Sequence, residues 1–201
     1  EMASSGAGVL MARSVEFGRR YNVPIIVKST FINNEGTEVK EKVMEEALVS
    51  GVTHNTKEVK FTLFEVPDQP GIAGTVFGSL SEIGINVDMI VQNVSKDSIT
   101  DISFTAPTEQ KDAVENMLKN IATELKAKGY DVDESVARVS IIGAGMKSES
   151  GVASKMFQIL GENSINISMI STSPIRVSCV IDNKDINTAL EALHKEFIEK
   201  E

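Results

Sequence analysis

The sequence predicts an α+β fold made of two copies of one small ferredoxin-like unit, in which strands and helices follow one another as βαββαβ. The first observation is an internal repeat. Residues 71–90 and 151–170, offset by 80 positions, share nine of 20 residues, where unrelated sequences share about one. The second observation is a run of β-favouring residues before each copy. The identical pairs are Gly71/Gly151, Ala73/Ala153, Phe77/Phe157, Leu80/Leu160, Glu82/Glu162, Ile85/Ile165, Asn86/Asn166, Met89/Met169 and Ile90/Ile170.

The first copy contains every element of the unit. Residues 60–66 form a strand-like run, and a turn signal follows at 68–71. Apolar residues then recur at helical spacing up to Gly84, which stands where helix C-termini favour glycine. The remaining pattern predicts strands at 85–94 and 100–106, a helix at 112–128 and a closing strand at 130–133.

The second copy lacks its fourth strand. Its predicted elements are a strand at 136–142, a helix at 151–163, strands at 165–171 and 175–181, and a helix at 185–198. A strand-like stretch at 47–53 lies upstream of the first copy and supplies the missing edge in the simplest arrangement. We therefore expect the first unit to be inserted in the second. The predicted domains are 58–134 for the first unit and 44–57 plus 135–201 for the second.

Residues 1–43 belong to neither copy. Apolar residues from Val9 to Phe17 predict a helix that ends near Asn22, and residues 24–28 predict a short buried strand. A helix and one strand cannot bury their apolar faces alone. We therefore interpret this segment as the end of a preceding domain, and expect the chain to be cut from a longer protein.

Composition excludes several classes of partner. The net charge of −9 argues against a nucleic-acid backbone or an anionic membrane surface. No apolar run approaches the ~20 residues that a membrane span needs. The single cysteine, Cys179, allows no internal disulfide and is compatible with a reducing compartment. We expect a cytoplasmic protein.

Signatures of catalysis are missing from the sequence. It contains no phosphate-binding glycine loop followed by lysine, no metal-ligand spacing and no nucleophile elbow. Gly143 and Gly145 follow a strand, but the rest of a dinucleotide fingerprint is missing, so a tight turn is the better interpretation. Cys179 lies in an apolar strand and is expected in the core. We therefore predict no catalytic residue, no metal site and no cofactor in this chain.

The strand-to-helix turn of each copy is the best candidate for a binding site. In the first copy, Asp68 precedes a helix whose free N–H groups come from about Gly71 to Ala73. Such groups attract a carboxylate, and Asp68 can hold an ammonium, so the turn suits a free amino acid. The alternative is that Asp68 only caps the helix. The second copy has Ser148 at this position, so the two turns are not chemically equivalent.

Longer motifs resemble a known family. The segment DQPGIAGTVF at 68–77, followed by NVDMIVQNVS at 86–95, resembles the first ACT domain of the aspartate kinases. The segments GAGMKS at 143–148 and NISMISTS at 166–173 resemble the second. EMASSGAGVL at 1–10 is similar to the end of the amino-acid-kinase domain of these enzymes.

The resemblance implies a regulatory role. Aspartate kinases use ATP and Mg²⁺ to phosphorylate the side-chain carboxylate of aspartate, the first step toward lysine, threonine and methionine. Their ACT domains bind the end product lysine or threonine and switch the kinase off. The nucleotide- and aspartate-binding loops are missing from this sequence, so the chain alone is expected to be inactive. The implied partners are a second copy, paired through the ACT domains, and the kinase domain or catalytic subunit.

The resemblance also assigns effector-binding residues, by motif. In the first copy they are Asp68, Gly71, Ile72, Ala73, Asn86, Val87, Asp88 and Gln92. In the second they are Val152, Ala153, Asn166, Ile167, Ser173 and Pro174. We expect Asp68, Gln92 and the amides at 71–73 to hold threonine or lysine, with Asn166 and Ile167 closing the site across the dimer. Two alternatives stay open, an enzyme in its own right and a structural dimerisation module with vestigial sites.

Overall fold

The computed structural model describes residues 1–39, 48–94, 98–147 and 151–199. Before the repeats it contains a short 3₁₀ helix at Met2–Ser4, the helix α1 (Ala12–Arg20) and a two-stranded sheet of β1 (Ile25–Val27) and β2 (Thr37–Val39). Helix α1 starts later than the apolar pattern predicts, because Met11 is extended, with φ −70° and ψ 126°. Val9 is therefore outside the helix and 74% exposed. Strand β2 was not predicted.

The first unit folds in the predicted order. Its elements are β4 (Glu58–Pro67), α2 (Ile72–Glu82), β5 (Ile90–Val94), β6 (Ile99–Pro107), α3 (Lys111–Glu124) and β7 (Gly129–Asp133). The antiparallel sheet has the spatial order β5-β6-β4-β7. Numbered within the unit this is 2-3-1-4, the arrangement of a ferredoxin-like fold.

The second unit is completed by a strand from upstream of the first. Its elements are β3 (Gly51–Asn55), β8 (Val136–Ile142), α4 (Val152–Glu162), β9 (Ile167–Ser173), β10 (Arg176–Asp182) and α5 (Ile186–Phe197). The sheet order is β3-β8-β10-β9, and β3 pairs with β8 from Gly51 opposite Ile142 to Asn55 opposite Arg138. The predicted insertion of one unit in the other is confirmed. The strand itself lies later than the predicted 47–53, and residue 47 is outside the described residues.

Each unit has its own apolar core, where two helices cover one face of the sheet. In the first, Val76 and Leu80 of α2 and Leu118 of α3 pack with Phe61 and Phe104 of the sheet. The rings of Phe61 and Phe104 stack with centroids 5.4 Å apart. The second core uses the equivalent positions on α4 and α5 and also contains Cys179, which is fully buried as predicted.

One predicted strand is wrong over half its length. The pattern predicts a strand at 85–94, but β5 begins at Ile90. The N–H of Ile85 donates to the carbonyl of Leu80, which closes the C-terminus of α2, and Gly84 in that turn has φ 73°. The alternating burial of Ile85 and Met89 therefore comes from an extended loop packed on the core. Alternation reports which side chains are buried and does not by itself require a sheet ladder.

The two units meet through a mixed apolar and charged junction. Met89 and Val91 of the first unit pack with Val136, Met169 and Val180 of the second. Met89 and Met169 are an identical pair of the internal repeat, so equivalent side chains of the two copies meet here.

Within the described residues, no helix is long and apolar enough to cross a membrane.

Candidate functional site

The turn between β4 and α2 places Asp68 beside a helix N-terminus. Strand β4 ends at Pro67, and α2 begins at Ile72 after Gly71. Among the described residues the Asp68 side chain makes no hydrogen bond to the start of this helix, which argues against the alternative that Asp68 is a helix cap. The backbone N–H of Asp68 instead donates to the carbonyl of Ser98 at 2.8 Å, and its side chain is exposed. The carboxylate is thus available for a ligand.

Glycine is required at the start of this helix and of its counterpart. Gly71 has φ 98° and ψ −16°, and Gly151 has φ 98° and ψ −9°. Only glycine adopts this left-handed conformation without a steric penalty. A Cβ on either residue would meet nothing within 4 Å, so the backbone angle and not lack of space selects glycine. The two turns share one backbone geometry although their side chains differ.

The amides at the start of α2 form an anion-binding edge. The N–H of Ile72 donates to the carbonyl of Gln69 at 3.3 Å, so one of the predicted amides already has a partner. The amides of Ala73 and Gly74 belong to the first turn, where a helix offers no acceptor of its own. Together with the positive end of the helix dipole they favour a carboxylate. The Asp68 carboxylate and these amides therefore carry charges that complement the ammonium and the carboxylate of an α-amino acid.

Gln92 lies at the same end of the sheet as Asp68. Strands β4 and β5 both run antiparallel to β6, so they run parallel to each other. On β6, Ile99 pairs with Pro67, Thr100 with Val94, and Ile102 with Gln92. The last residues of β4 and of β5 therefore meet at one end, and Gln92 is exposed there on an edge strand.

Asn86, Val87 and Asp88 lie at the opposite end of the sheet. The N–H of Asp88 donates to the carbonyl of Thr105, near the start of β4 and the end of β6. These three residues line a cavity of about 470 Å³ between the two units. The eight residues predicted for the first copy are therefore not brought together within one chain. They form two groups, one at each end of β5.

The second copy divides its predicted residues in the same way. Asn166 and Ile167 lie at the start of β9, whereas Ser173 and Pro174 lie at its end, beside the turn that leads into α4. Val152, the first residue of α4, is buried in the core, so only its backbone is free to contact a ligand. Ala153 is half-buried next to it. Ser148 lies outside the described residues.

Sequence reasoning missed a group of charged residues at the junction, here called the junction cluster: Glu58, Asp88, Arg138 and Arg176. Arg138 is 1% exposed, and its Nη2 lies 2.7 Å from Glu58 Oε1, while its Nη1 donates to Asp88 Oδ2. Arg176 Nη2 lies 3.7 Å from Asp88 Oδ1. The signal was present, because Arg138 is a charged residue inside a strand whose seven residues are all buried.

Burial dominates the electrostatics of this cluster. Desolvation raises the pKa of Glu58, although Arg138 and a hydrogen bond from Asn55 act in the other direction. Desolvation likewise lowers the pKa of Arg138, opposed by Glu58. Glu58 Oε2 and Arg138 Nε are buried with no hydrogen-bond partner among the described residues. The pair is therefore held by the fold and is costly to break.

The free edges of the two sheets correspond to each other. Strands β5 and β9 each form one edge of their sheet, and each begins within the repeated segment. Ile90 on β5 is 49% exposed, and its repeat partner Ile170 on β9 is 43% exposed. An edge strand with exposed apolar side chains is a template for pairing with another chain.

The described residues contain no group of three or more potential metal ligands.

Comparison with known proteins agrees with these features. A family model described as "ACT domain" matches residues 65–120 and 139–197. An aspartate kinase of Pseudomonas fluorescens is 48% identical over 200 residues, which make up 98% of this chain and 48% of that protein. This chain therefore spans about half the length of the curated relatives it matches.

Solved structures place the similarity in the regulatory region. One chain of a crystal structure of aspartokinase alpha and beta subunits is 40% identical, with a TM-score of 0.70 over 74% of this chain and 98% of that one. The ligand-free regulatory subunit of aspartate kinase from Thermus thermophilus is 36% identical, with a TM-score of 0.71 over 75% of this chain and 99% of that one. The chain thus belongs to the aspartate kinase family, as a regulatory region with two ACT domains, the first inserted in the second.

Proposed function

We propose that this chain is the allosteric regulatory part of an aspartate kinase and that it binds threonine, lysine or both as feedback inhibitors. The observation that carries the proposal is the pairing of an exposed carboxylate, Asp68, with the free amides at the start of α2. This pair suits the ammonium and carboxylate of a free amino acid. The similarity to regulatory subunits supports the same role.

The complete sites form between two chains. Strands β5 and β9 are exposed edges of similar sequence, and we propose that β5 of one chain pairs with β9 of its partner in the antiparallel sense that joins the other strands of both sheets. Such pairing places the end of β5, with Asp68 and Gln92, beside the start of the partner chain's β9, with Asn166 and Ile167. The residues that lie apart within one chain are therefore joined in the dimer.

The same pairing creates a second composite site. The start of β5, with Asn86 and Asp88, comes to lie beside the end of the partner chain's β9, with Ser173 and Pro174. This site has no equivalent of Asp68 on the described α4 turn, so it differs chemically from the first. A dimer of this kind has room for two different effectors, which suits control by threonine and lysine together.

Inhibition requires a difference in affinity between two states. An effector switches an attached kinase only if it binds the inhibited arrangement more tightly than the active one. A coupling free energy of about 1–3 kcal/mol is typical of such systems. In this proposal ATP, Mg²⁺ and aspartate bind the kinase domain or catalytic subunit of the same cytoplasmic enzyme, and this chain supplies the effector sites.

Isothermal titration with L-threonine and L-lysine tests the proposal. We expect saturable binding by the wild-type chain and at least tenfold weaker binding by Asp68→Ala. Among the described residues no hydrogen bond or ion pair involves the Asp68 side chain. The free energy of unfolding of the variant should therefore lie within about 0.5 kcal/mol of that of wild type. Asp131→Ala is the matched control, since Asp131 is exposed on β7, at the other edge of the sheet.

Two results would count against the proposal. Unchanged affinity in Asp68→Ala would show that this turn is not the site. A wild-type chain that dimerises and binds neither amino acid would favour a structural dimerisation module with vestigial sites.

A further inference from the structure

Asp88 connects the start of β5 to the second unit. Its Oδ2 accepts a hydrogen bond from Arg138, and its Oδ1 lies 3.7 Å from Arg176 Nη2. Both arginines belong to the second unit, on β8 and β10. A ligand that takes up a position at residues 86–88 therefore acts on a carboxylate that is already shared with the other unit.

The two arginines differ in freedom of movement. The Arg138 side chain is 2% exposed and also contacts Glu58 Oε1 at 2.7 Å, an atom that accepts a further hydrogen bond from Asn55 at 2.7 Å. The Arg176 side chain is 18% exposed and meets Asp88 at the longer distance of 3.7 Å. Moving Arg138 would leave the buried Glu58 without its partner, which is costly. A displacement of Asp88 is therefore transmitted to Arg176 more readily than to Arg138.

Arg176 also contacts the segment that precedes both units. Its Nη1 lies 3.4 Å from Ser5 Oγ and 3.7 Å from a carboxylate oxygen of Glu1. This segment is anchored at two residues, because Ser5 is 0% exposed and Gly6 approaches the backbone of His54 closely, whereas the residues around them are mostly exposed. A Cβ on Gly6 would lie 1.9 Å from the His54 carbonyl oxygen, and the φ of Gly6 is +112°.

The cavity between the units is a weaker candidate for a ligand site of its own. Its buried polar atoms without partners, Glu58 Oε2 and Arg138 Nε, have almost no accessible surface. A ligand in the cavity could not reach them without rearrangement of the junction cluster. The contacts are better explained as a connection between units than as a pocket for a further ligand.

We infer that Arg176 is a positioning residue that couples effector binding at the start of β5 to residues 1–8. The inference rests on the proposed function, because it needs an amino acid bound near Asn86 and Asp88. The ammonium of that ligand attracts the Asp88 carboxylate and weakens its contact with Arg176. Arg176 then forms closer contacts with Ser5 and Glu1. The equilibrium between closed and locally opened backbone in residues 1–8 therefore shifts.

Hydrogen exchange read by mass spectrometry tests the inference. The wild-type chain is compared without ligand and with saturating L-threonine, L-lysine or both, with occupancy checked by titration. We expect the exchange of residues 1–8 to change at least about threefold on effector binding. In Arg176→Ala at equal occupancy that change should be lost, and Arg176→Lys should retain part of it. Lys111→Ala, which removes an exposed ion pair with Glu134 in the first unit, should respond as wild type.

The outcomes separate this inference from the proposed function. If the wild-type chain binds neither amino acid, the proposed function fails and the coupling fails with it. If effector binds and residues 1–8 show no change, or if Arg176→Ala keeps the full change, only the coupling through Arg176 is overturned. If Arg176→Ala does not fold, the comparison of Arg176→Lys with the control Lys111→Ala tests the coupling. A full wild-type change of exchange in Arg176→Lys would contradict a role for the guanidinium, because the lysine ammonium cannot make the same two-pronged contacts.

Discussion

Replacing Arg138 by alanine should destabilise the chain strongly. The variant leaves Glu58, which is 6% exposed, without its charged partner. Removing one member of a buried ion pair costs about 3–5 kcal/mol. Asp88 adds no more than about 1 kcal/mol, because its side chain is 39% exposed and water compensates its charge. For a chain of this size the loss corresponds to a drop in Tm of roughly 6–20 °C.

Urea unfolding followed by circular dichroism measures the effect. Lys111→Ala is the control, since the ion pair of Lys111 with Glu134 is exposed and its loss should leave the free energy of unfolding almost unchanged. In the double variant Arg138→Met with Glu58→Gln no charge is left buried and unpaired. At least half of the lost stability should then return.

Two results would refute this reasoning. The first is a loss below about 1 kcal/mol in Arg138→Ala, which would mean that water reaches Glu58 when the arginine is removed. The second is a double variant whose loss of unfolding free energy equals the sum of the losses in Arg138→Met and Glu58→Gln. The effects of independent sites add, whereas those of coupled sites do not.

Three further predictions follow from the pKa shifts and the sheet edges. Burial raises the pKa of Glu58 above its ordinary 4.5, so the folded chain loses stability as Glu58 ionises with rising pH. In urea unfolding from about pH 4 to 7, wild type should lose stability relative to Glu58→Gln. A difference between the two that stays constant with pH would contradict this. Burial raises the pKa of the Cys179 thiol to about 12, so a thiol reagent at about pH 8 should label it only after unfolding, and rapid labelling of native protein would show that the strand opens. Ile90→Asp with Ile170→Asp puts charges on the exposed edges of β5 and β9; gel filtration should show a monomer, and a retained dimer would place the interface elsewhere.

The repeated unit and its nesting can be read from the amino-acid sequence alone. The repeat of nine identical residues in 20 fixed the equivalence of the two units, and the count of strands in the second unit required an extra edge from upstream. The turn at Gly71 was also readable, because a left-handed residue at a helix start demands glycine. Each of these features rests on a pattern of residue types along the chain, which can be read without knowing the tertiary contacts. The predicted domain boundaries at 43/44, 57/58 and 134/135 stay predictions.

Which of the candidate residues lie together depends on the tertiary fold. The motif placed Asp68 and Asp88 in one set, but the register of β4, β5 and β6 puts them at opposite ends of the sheet. The tertiary fold also decided the junction cluster, where Arg138 meets Glu58 from 80 positions earlier and Asp88 from 50 positions earlier. A local pattern records burial and backbone preference. It carries no information on which buried charge meets which, because that depends on how two separately folded cores are packed against each other.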